Sequence, residues 1–112
     1  PPGSGRRVRV HGAGDGGEMV LRELRNNPAW EYQAVGFVDD DPFKVGKVIN
    51  GLRVYEGGDG VVAACSELQI DEILISTNKI SGDILDKVRR IGGDHEIEVK
   101  RVRLVIEPLG FE

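Results

Sequence analysis

Residues 7–17 read Arg-Val-Arg-Val-His-Gly-Ala-Gly-Asp-Gly-Gly, a short run with alternating valines that passes directly into a cluster of glycines. The alternation predicts a β-strand over residues 7–11. Apolar residues then recur at helical spacing and predict a helix over residues 15–26, which ends where Asn and Pro follow. Those apolar residues are Met19, Val20, Leu21 and Leu24. The glycines are therefore predicted to form the turn between a strand and a helix.

The glycine turn Gly12-Ala13-Gly14-Asp15-Gly16-Gly17 matches the pattern G-x-G-x-x-G. Between a strand and a helix, this pattern is typical of a dinucleotide-binding turn. Gly12 permits the sharp turn, Gly14 leaves space for the pyrophosphate, and Gly17 lets the helix pack close to the sheet. The amides of the first helical turn would then hold the phosphate. A structural turn without a ligand is the alternative, and Asp15 would repel a phosphate placed close to it.

An acidic residue is expected about 20 residues beyond the glycines, where it accepts the ribose hydroxyls of a dinucleotide. Asp39 lies at about that distance from Gly17, at the predicted carboxyl end of the second strand, and Asp40 follows it. We therefore predict that Asp39 or Asp40 binds the ribose. A carboxylate there disfavours a 2′-phosphate and so favours NAD over NADP, although two lysines lie close by in the sequence. An acidic turn leading into a loop is the alternative.

Strands and helices alternate along the rest of the chain. Short apolar runs predict strands over residues 33–39, 52–55, 72–76 and 97–102, and residues 40–51 are predicted as a polar excursion. One helix is predicted from the apolar positions Val61, Cys65 and Leu68, with Asp59 as its cap. The next helix carries Ile84, Val88 and Ile91 on its apolar face, with Ser81 as its cap and Gly92-Gly93 as its end.

This alternation predicts a three-layer, Rossmann-like α/β fold. Parallel strands need helical crossovers of this kind, and the crossovers are right-handed. We predict a doubly wound parallel sheet of about five strands in the order 3-2-1-4-5, with helices on both faces. Ligands bind such sheets where the strand order reverses, here between strands 1 and 4. Ser76 and Thr77 end strand 4, so their hydroxyls are predicted to bond a phosphate or ribose; turn formation is the alternative.

The composition describes one globular domain. The 112 residues are 39% hydrophobic and 30% charged, which suits a single core. There are 16 glycines, where an average chain of this length has about 8. The net charge of −4 argues against nucleic acid as the main partner, and the single cysteine excludes an internal disulfide. We interpret residues 1–6 as a linker or tag remnant and residues 7–112 as one domain.

The residues of a complete enzyme are missing from the sequence. Neither Tyr32 nor Tyr55 has a lysine four residues later, so the Tyr-x-x-x-Lys pair of short-chain dehydrogenases is absent. We predict no catalytic and no metal-binding residues, and interpret the chain as a binding module. A catalytic or metal-binding role for His11 would need partner residues, and the only other histidine, His95, lies far along the chain. His11 is therefore predicted to be a strand-end imidazole that bonds to backbone. Two groups of cations are predicted to form solvated faces, with a docking surface as the alternative: Arg6, Arg7 and Arg9 at one end of the chain, and Lys100, Arg101 and Arg103 at the other.

Several segments together resemble one known domain. These are R-V-R-V-H-G-A-G-D-G-G-E-M, V-G-F-V-D-D-D-P, K-V-G-K-V-I-N-G-L-R-V-Y and D-E-I-L-I-S. The chain resembles the CoA-binding-like nucleotide-binding domain of bacterial polysaccharide biosynthesis proteins, including nucleotide-sugar epimerases and 4,6-dehydratases of the CapD type. The acidic segment and the G-x-x-I-x-G segment, with Gly46, Ile49, Gly51 and Val54, are more specific than the glycine turn alone.

This resemblance implies a ligand and a setting. It implies that NAD(H), a nucleotide-sugar or CoA lies over Gly12, Gly14 and Gly17, with the acid at Asp39 or Asp40. In that family the domain stands between membrane helices and a catalytic short-chain dehydrogenase domain. We therefore expect a catalytic partner domain in the parent chain and a cytoplasmic location. We expect contact with the membrane only through other segments of that chain. Two relatives compete: the NADH-sensing domain of redox-responsive repressors, and the nucleotide-sugar-binding domain of sugar acyltransferases or sugar-phosphate transferases. A scaffold without a ligand and a homo-oligomer are left open.

Overall fold

The computed structural model describes residues 5–57, 69–76 and 80–111. In chain order, the elements are β1 (Arg6–His11), α1 (Asp15–Asn26), a 3₁₀ turn (Pro28–Trp30), β2 (Tyr32–Asp39), β3 (Val48–Ile49), β4 (Leu52–Glu56), β5 (Glu72–Ile75), α2 (Gly82–Asp94) and β6 (Glu98–Arg101). The helix predicted at Val61, Cys65 and Leu68 lies outside the described residues, and so does Thr77.

The described strands form one sheet in the order β3-β4-β2-β1-β5-β6. All neighbouring pairs are parallel except β3 and β4. The predicted order of the five parallel strands is therefore confirmed. The prediction for residues 40–51 missed β3, which pairs with β4 through a two-residue turn. Asn50 and Gly51 form that turn with φ values of 50° and 82°, the conformation for which Asn-Gly is the preferred sequence.

Helices cover both faces of the sheet, which confirms the three-layer architecture. Val8 and Val10 of β1 pack on one face with Leu21 of α1. On the other face, Ile73 of β5 packs with Val88 of α2. Each fully buried aliphatic side chain contributes about 1.5–3 kcal/mol through removal of its surface from water, so these two cores hold the layers together.

The ends of α2 show one confirmed and one wrong prediction. Ser81 caps the helix as predicted, because its Oγ accepts a hydrogen bond from the amide of Ile84 at 3.2 Å. The predicted end at Gly92-Gly93 is wrong, since α2 continues to Asp94. Gly92 is needed inside the last turn because an added Cβ would lie 2.6 Å from the carbonyl oxygen of Ile97. This glycine therefore serves close helix–strand packing rather than helix termination.

A buried carboxylate lies at the amino-terminal edge of the sheet. Glu72 of β5 is fully buried, and it is paired with Arg6 of β1 and Lys100 of β6. Burial would raise the pKa of Glu72, but the Lys100 ammonium and the Arg6 guanidinium hold that pKa below its ordinary value. The ion pairs therefore keep Glu72 charged and tie three neighbouring strands together.

Candidate functional site

The glycine turn connects the carboxyl end of β1 to the first turn of α1. The turn is anchored to β2, because the Gly12 amide donates to the carbonyl of Val38 at 2.7 Å. Gly14 is the N-cap of α1, with φ −94° and ψ −158°, and it supplies no side-chain cap. The first amides of a helix have no partner within the helix, and the helix dipole places partial positive charge there. The turn therefore presents hydrogen-bond donors at the carboxyl edge of the sheet.

Three of the four glycines are required by the protein's own packing. Gly12 has φ +105°, and an added Cβ would lie 2.7 Å from Ser76 Oγ. At Gly16 an added Cβ would lie 2.9 Å from the carbonyl oxygen of Ser76. At Gly17 it would overlap the carbonyl oxygen of Gly12. L side chains rarely adopt the positive φ of Gly12. The obstacles at Gly16 and Gly17 are backbone atoms, which cannot yield easily, so the first turn of α1 packs against β5 and the glycine turn only without side chains there.

Gly14 differs from the other three glycines. Its φ of −94° is open to any residue. An added Cβ would meet only the flexible ammonium of Lys44, at 3.5 Å, an ordinary van der Waals distance. Ser, Asn and Asp are also better N-caps than glycine. The surrounding packing of the described residues therefore gives no reason for glycine at this position.

Asp39 at the end of β2 fixes the turn in place. Its Oδ2 accepts a hydrogen bond from the Ala13 amide at 2.8 Å, and its Oδ1 accepts one from the Asp41 amide at 2.8 Å. Burial would raise the pKa of Asp39, but the two amides and the Lys44 ammonium hold that pKa below its ordinary value. Lys44 Nζ lies 4.0 Å from Asp39 Oδ2. Both carboxylate oxygens of Asp39 are therefore engaged within the protein.

Asp40 has a more open position than Asp39. The Asp40 side chain is 42% exposed, compared with 16% for Asp39. Its Oδ2 lies 3.7 Å from Nε2 of His11, which is too long for a hydrogen bond. Of the two acids predicted for the ribose, Asp40 is therefore the one whose carboxylate is accessible to a ligand.

Ser76 lies beneath the glycine turn. Its Oγ is buried and donates to the carbonyl of His11 at 2.7 Å. Its amide donates to the same carbonyl at 3.2 Å. The Ser76 hydroxyl thus connects β5 to the end of β1 directly below Gly12 and Gly16. Thr77, the other predicted hydroxyl, falls outside the described residues.

His11 and Arg9 depart from the sequence predictions. His11 is only 4% exposed, and among the described residues neither ring nitrogen has a hydrogen-bond partner, so the predicted bond to backbone is wrong. Arg9 is fully buried, with its guanidinium carbon 3.6 Å from the centroid of the Tyr55 ring, and does not face solvent. Successive strand residues alternate between the two faces of a sheet. Both side chains therefore lie on the face opposite to that of Val8 and Val10.

Burial of His11 predicts a stability loss in mild acid. Burial lowers the pKa of the imidazole below its ordinary value, although Asp40 and Asp39 act in the opposite direction. As the pH falls through about 6.5, the unfolded chain therefore binds the proton first. We expect the free energy of unfolding to fall between pH 7 and 5, by no more than about 1.4 kcal/mol per pH unit.

Urea denaturation across this pH range measures the effect. His11→Leu should remove this part of the pH dependence, whereas substitution of the exposed His95 by Gln should keep it. Identical pH profiles for the wild type and His11→Leu would show that the imidazole titrates as in the unfolded chain.

Comparison with known proteins places the chain among Rossmann-like domains. No protein-family model matches it. UDP-D-quinovosamine 4-dehydrogenase from Vibrio fischeri superposes with a TM-score of 0.74 at 21% identity, covering 88% of this chain and 79% of that one. RSP, a Rex-family repressor, superposes with a TM-score of 0.67 at 17% identity, covering 88% of this chain and 53% of that one. RSP has also been solved in complex with beta-NADH. These similarities confirm the predicted fold.

A sequence relative confirms the predicted resemblance to polysaccharide biosynthesis proteins. The probable polysaccharide biosynthesis protein EpsC from Bacillus subtilis (strain 168) is 34% identical over 70 residues, or 62% of this chain. The chain spans only 12% of the length of that relative. Within the described ranges, neither helix of this chain has the length and apolar character needed to cross a membrane.

Proposed function

We propose that this chain is a nucleotide-binding domain of a polysaccharide biosynthesis protein, which binds NAD(H) or a nucleotide-sugar and performs no chemistry by itself. The observation that carries the proposal is Gly14. This glycine is not required by the packing of the described residues around it. It lies at the N-cap of α1, whose first amides have no acceptor within the helix. A diphosphate that approaches the backbone closely gives a reason for this glycine, since any side chain there would block it.

The diphosphate would be held by the turn and by one cation. The amides of Asp15, Gly16 and Gly17 are available as donors at the start of α1. Lys44 places its ammonium close to Gly14 and 4.0 Å from Asp39, so it would add a charge-assisted contact to the same phosphates. Asp39, through its bond to the Ala13 amide, would hold the turn in position before the ligand arrives.

Asp40 would accept the ribose hydroxyls. Its carboxylate follows the carboxyl end of β2, the strand next to β1, as expected for the acid of a dinucleotide site. It is exposed, whereas both oxygens of Asp39 bind backbone amides. A carboxylate in this position repels a 2′-phosphate, so the ligand would be NAD(H) rather than NADP(H).

The parent protein would supply the chemistry. The similarity to EpsC, of which this chain spans 12%, supports a larger parent chain. From the family resemblance, we propose that a catalytic short-chain dehydrogenase domain accompanies this domain there. We place the domain in the cytoplasm, with membrane contact only through other parts of the parent chain, and assign residues 7–112 to one unit. Arg6 also belongs to this unit, because it is the first residue of β1 and pairs with Glu72.

An NADH sensor is the second candidate function. The observation that favours it is the shared fold with RSP, which has been solved with beta-NADH. A sensor must distinguish the two redox states of its ligand, and a coupling of about 1–3 kcal/mol is usual. Equal affinity for NADH and NAD would therefore remove this alternative.

Titration calorimetry with NADH, NAD, a UDP-sugar and CoA tests the proposed function. We expect saturable binding of at least one of these ligands at one site per chain. ADP should compete with it, whereas adenosine, which has no phosphate, should not. The absence of binding for all four ligands would overturn the proposal and leave a structural scaffold.

Substitution of the two acids should separate ribose binding from turn stability. Asp40→Asn should weaken NADH binding by at least about tenfold while leaving the free energy of unfolding nearly unchanged, since surface substitutions usually stay within about 0.5 kcal/mol. It should also narrow the preference for NADH over NADPH. Asp39→Asn can accept only one of the two amide bonds, so it should destabilise the fold by about 1–3 kcal/mol. Calorimetry and urea denaturation measure these effects, and loss of stability in Asp40→Asn with unchanged affinity would contradict the assignment.

A further inference from the structure

An apolar groove runs between α1 and β6 on the face of the sheet that α1 only partly covers. Its volume is about 450 Å³. Met19 and Leu24 line it from α1, Leu74 from β5, and Trp30 and Val102 from the neighbouring segments. Trp30 remains 53% exposed there. We refer to this feature as the α1–β6 groove.

The residues that follow β6 are apolar and exposed. Residues 104–111, which we call the tail, contain five large hydrophobic side chains that face solvent. They are Leu104, Val105, Ile106, Leu109 and Phe111. Only Leu104 reaches the rim of the α1–β6 groove. Contiguous exposed apolar surface of this kind marks an interaction site, so both the groove and the tail lack an apolar partner within the described chain.

The charges of the tail and of the groove rim are complementary. Within the tail, Glu107 is the only charged residue. The β6 side of the rim carries Arg101 and Arg103, together with Lys100, whose ammonium is already paired with Glu72. The α1 side carries Glu23. A docked tail would therefore place its carboxylate most favourably beside β6, which gives the tail a preferred direction in the groove.

We propose that the tail of a second copy of this chain docks in the α1–β6 groove, and that two copies exchange their tails reciprocally. Each copy carries one groove and one tail, so a single twofold axis satisfies both and closes the assembly as a dimer. Ile106 and Leu109 would bury their side chains against Met19 and the exposed ring of Trp30. This inference does not depend on nucleotide binding.

Sedimentation equilibrium of the 112-residue chain tests the exchange. We expect a concentration-dependent equilibrium between monomer and dimer. The double substitution Ile106→Asp with Leu109→Asp should raise the dimer dissociation constant at least about tenfold, as expected for removal of buried anchors. Met19→Glu, in the groove, should have the same effect, while Arg22→Ala, elsewhere on α1, should not. Circular dichroism shows whether each variant is folded.

Mixing the two variants tests whether the tail of one copy binds the groove of the other. The tail variant keeps an intact groove and Met19→Glu keeps an intact tail. The mixture should therefore form heterodimers held by one docked tail, with a dissociation constant above that of the wild-type dimer and below that of either variant alone. A wild-type chain that stays monomeric, a dimer that survives either variant, or a mixture without heterodimers would overturn the proposal. Growth beyond the dimer would also contradict it, because an exchange that closes on itself stops at two copies.

Discussion

Gly17→Ala is expected to destabilise the fold by about 3 kcal/mol or more. The added Cβ would overlap the carbonyl oxygen of Gly12, which is itself fixed by the bond from the Gly12 amide to Val38. Overpacking a well-packed site typically costs about 1–3 kcal/mol, and here neither atom belongs to a side chain that could rotate away. Relief of the overlap would require α1 to move away from β1, which would open the core around Val20 and Leu21.

Urea denaturation measures this effect, and Gly82→Ala is the matched control. Gly82 is the first residue of α2, and nothing lies within 4 Å of its added Cβ. Because alanine loses less conformational entropy than glycine, the control should be neutral or stabilised by up to about 1 kcal/mol. A Gly17→Ala variant that unfolds at the same urea concentration as the wild type would show that α1 does not pack this closely against the turn.

Gly14→Ser is expected to weaken nucleotide binding while stabilising the fold. The backbone at Gly14 already has the extended conformation of an N-cap. Serine there can accept hydrogen bonds from the amides of α1 and should stabilise the helix by a few tenths of a kcal/mol. The same hydroxyl would occupy the donors and the space proposed for the diphosphate. Binding of NADH should weaken at least about tenfold, which corresponds to about 1.4 kcal/mol.

The expected changes in stability and in NADH affinity have opposite signs, which distinguishes a blocked binding site from a disturbed turn. A variant that merely disturbs the turn loses both stability and affinity. Gly14→Ser should instead raise the midpoint of thermal unfolding and lower the NADH affinity measured by calorimetry. Ser81, the N-cap of α2, shows that serine is accepted as a helix cap in this fold. Unchanged NADH affinity in a stable Gly14→Ser variant would mean that the diphosphate does not approach this residue.

The sequence patterns predicted most strands and helices of the fold, because the local spacing of apolar residues reflects which side chains are buried. The alternation in β1 and the stripe in α1 correspond to side chains that pack together, such as Val10 and Leu21. Features that depend on distant partners were not predictable in the same way. Arg9 was predicted to face solvent because it is charged, yet it is buried beside the ring of Tyr55, which belongs to another strand. Glu72 could not be recognised as a buried ion-pair partner before Arg6 and Lys100 were placed beside it.

The candidate site was predictable in outline but not in its division of roles. The G-x-G-x-x-G pattern identified the turn, and spacing identified two adjacent acids. The distinction between Asp39 and Asp40 depends on which carboxylate receives the Ala13 amide, and this follows only from the register of β1 against β2. The contribution of Lys44 was also missed, since its approach to Gly14 depends on the path of the loop after β2.

In the proposed complex, the backbone amides of the glycine turn hold the diphosphate of a nucleotide. An NMR titration of the ¹⁵N-labelled chain with NADH, NAD, a UDP-sugar and CoA observes these amides directly. We predict that the signals of Asp15, Gly16 and Gly17 shift and saturate at the affinity measured by calorimetry. Saturable binding that leaves these three signals in place, or no saturable shift with any of the four ligands, would show that these amides do not hold the diphosphate.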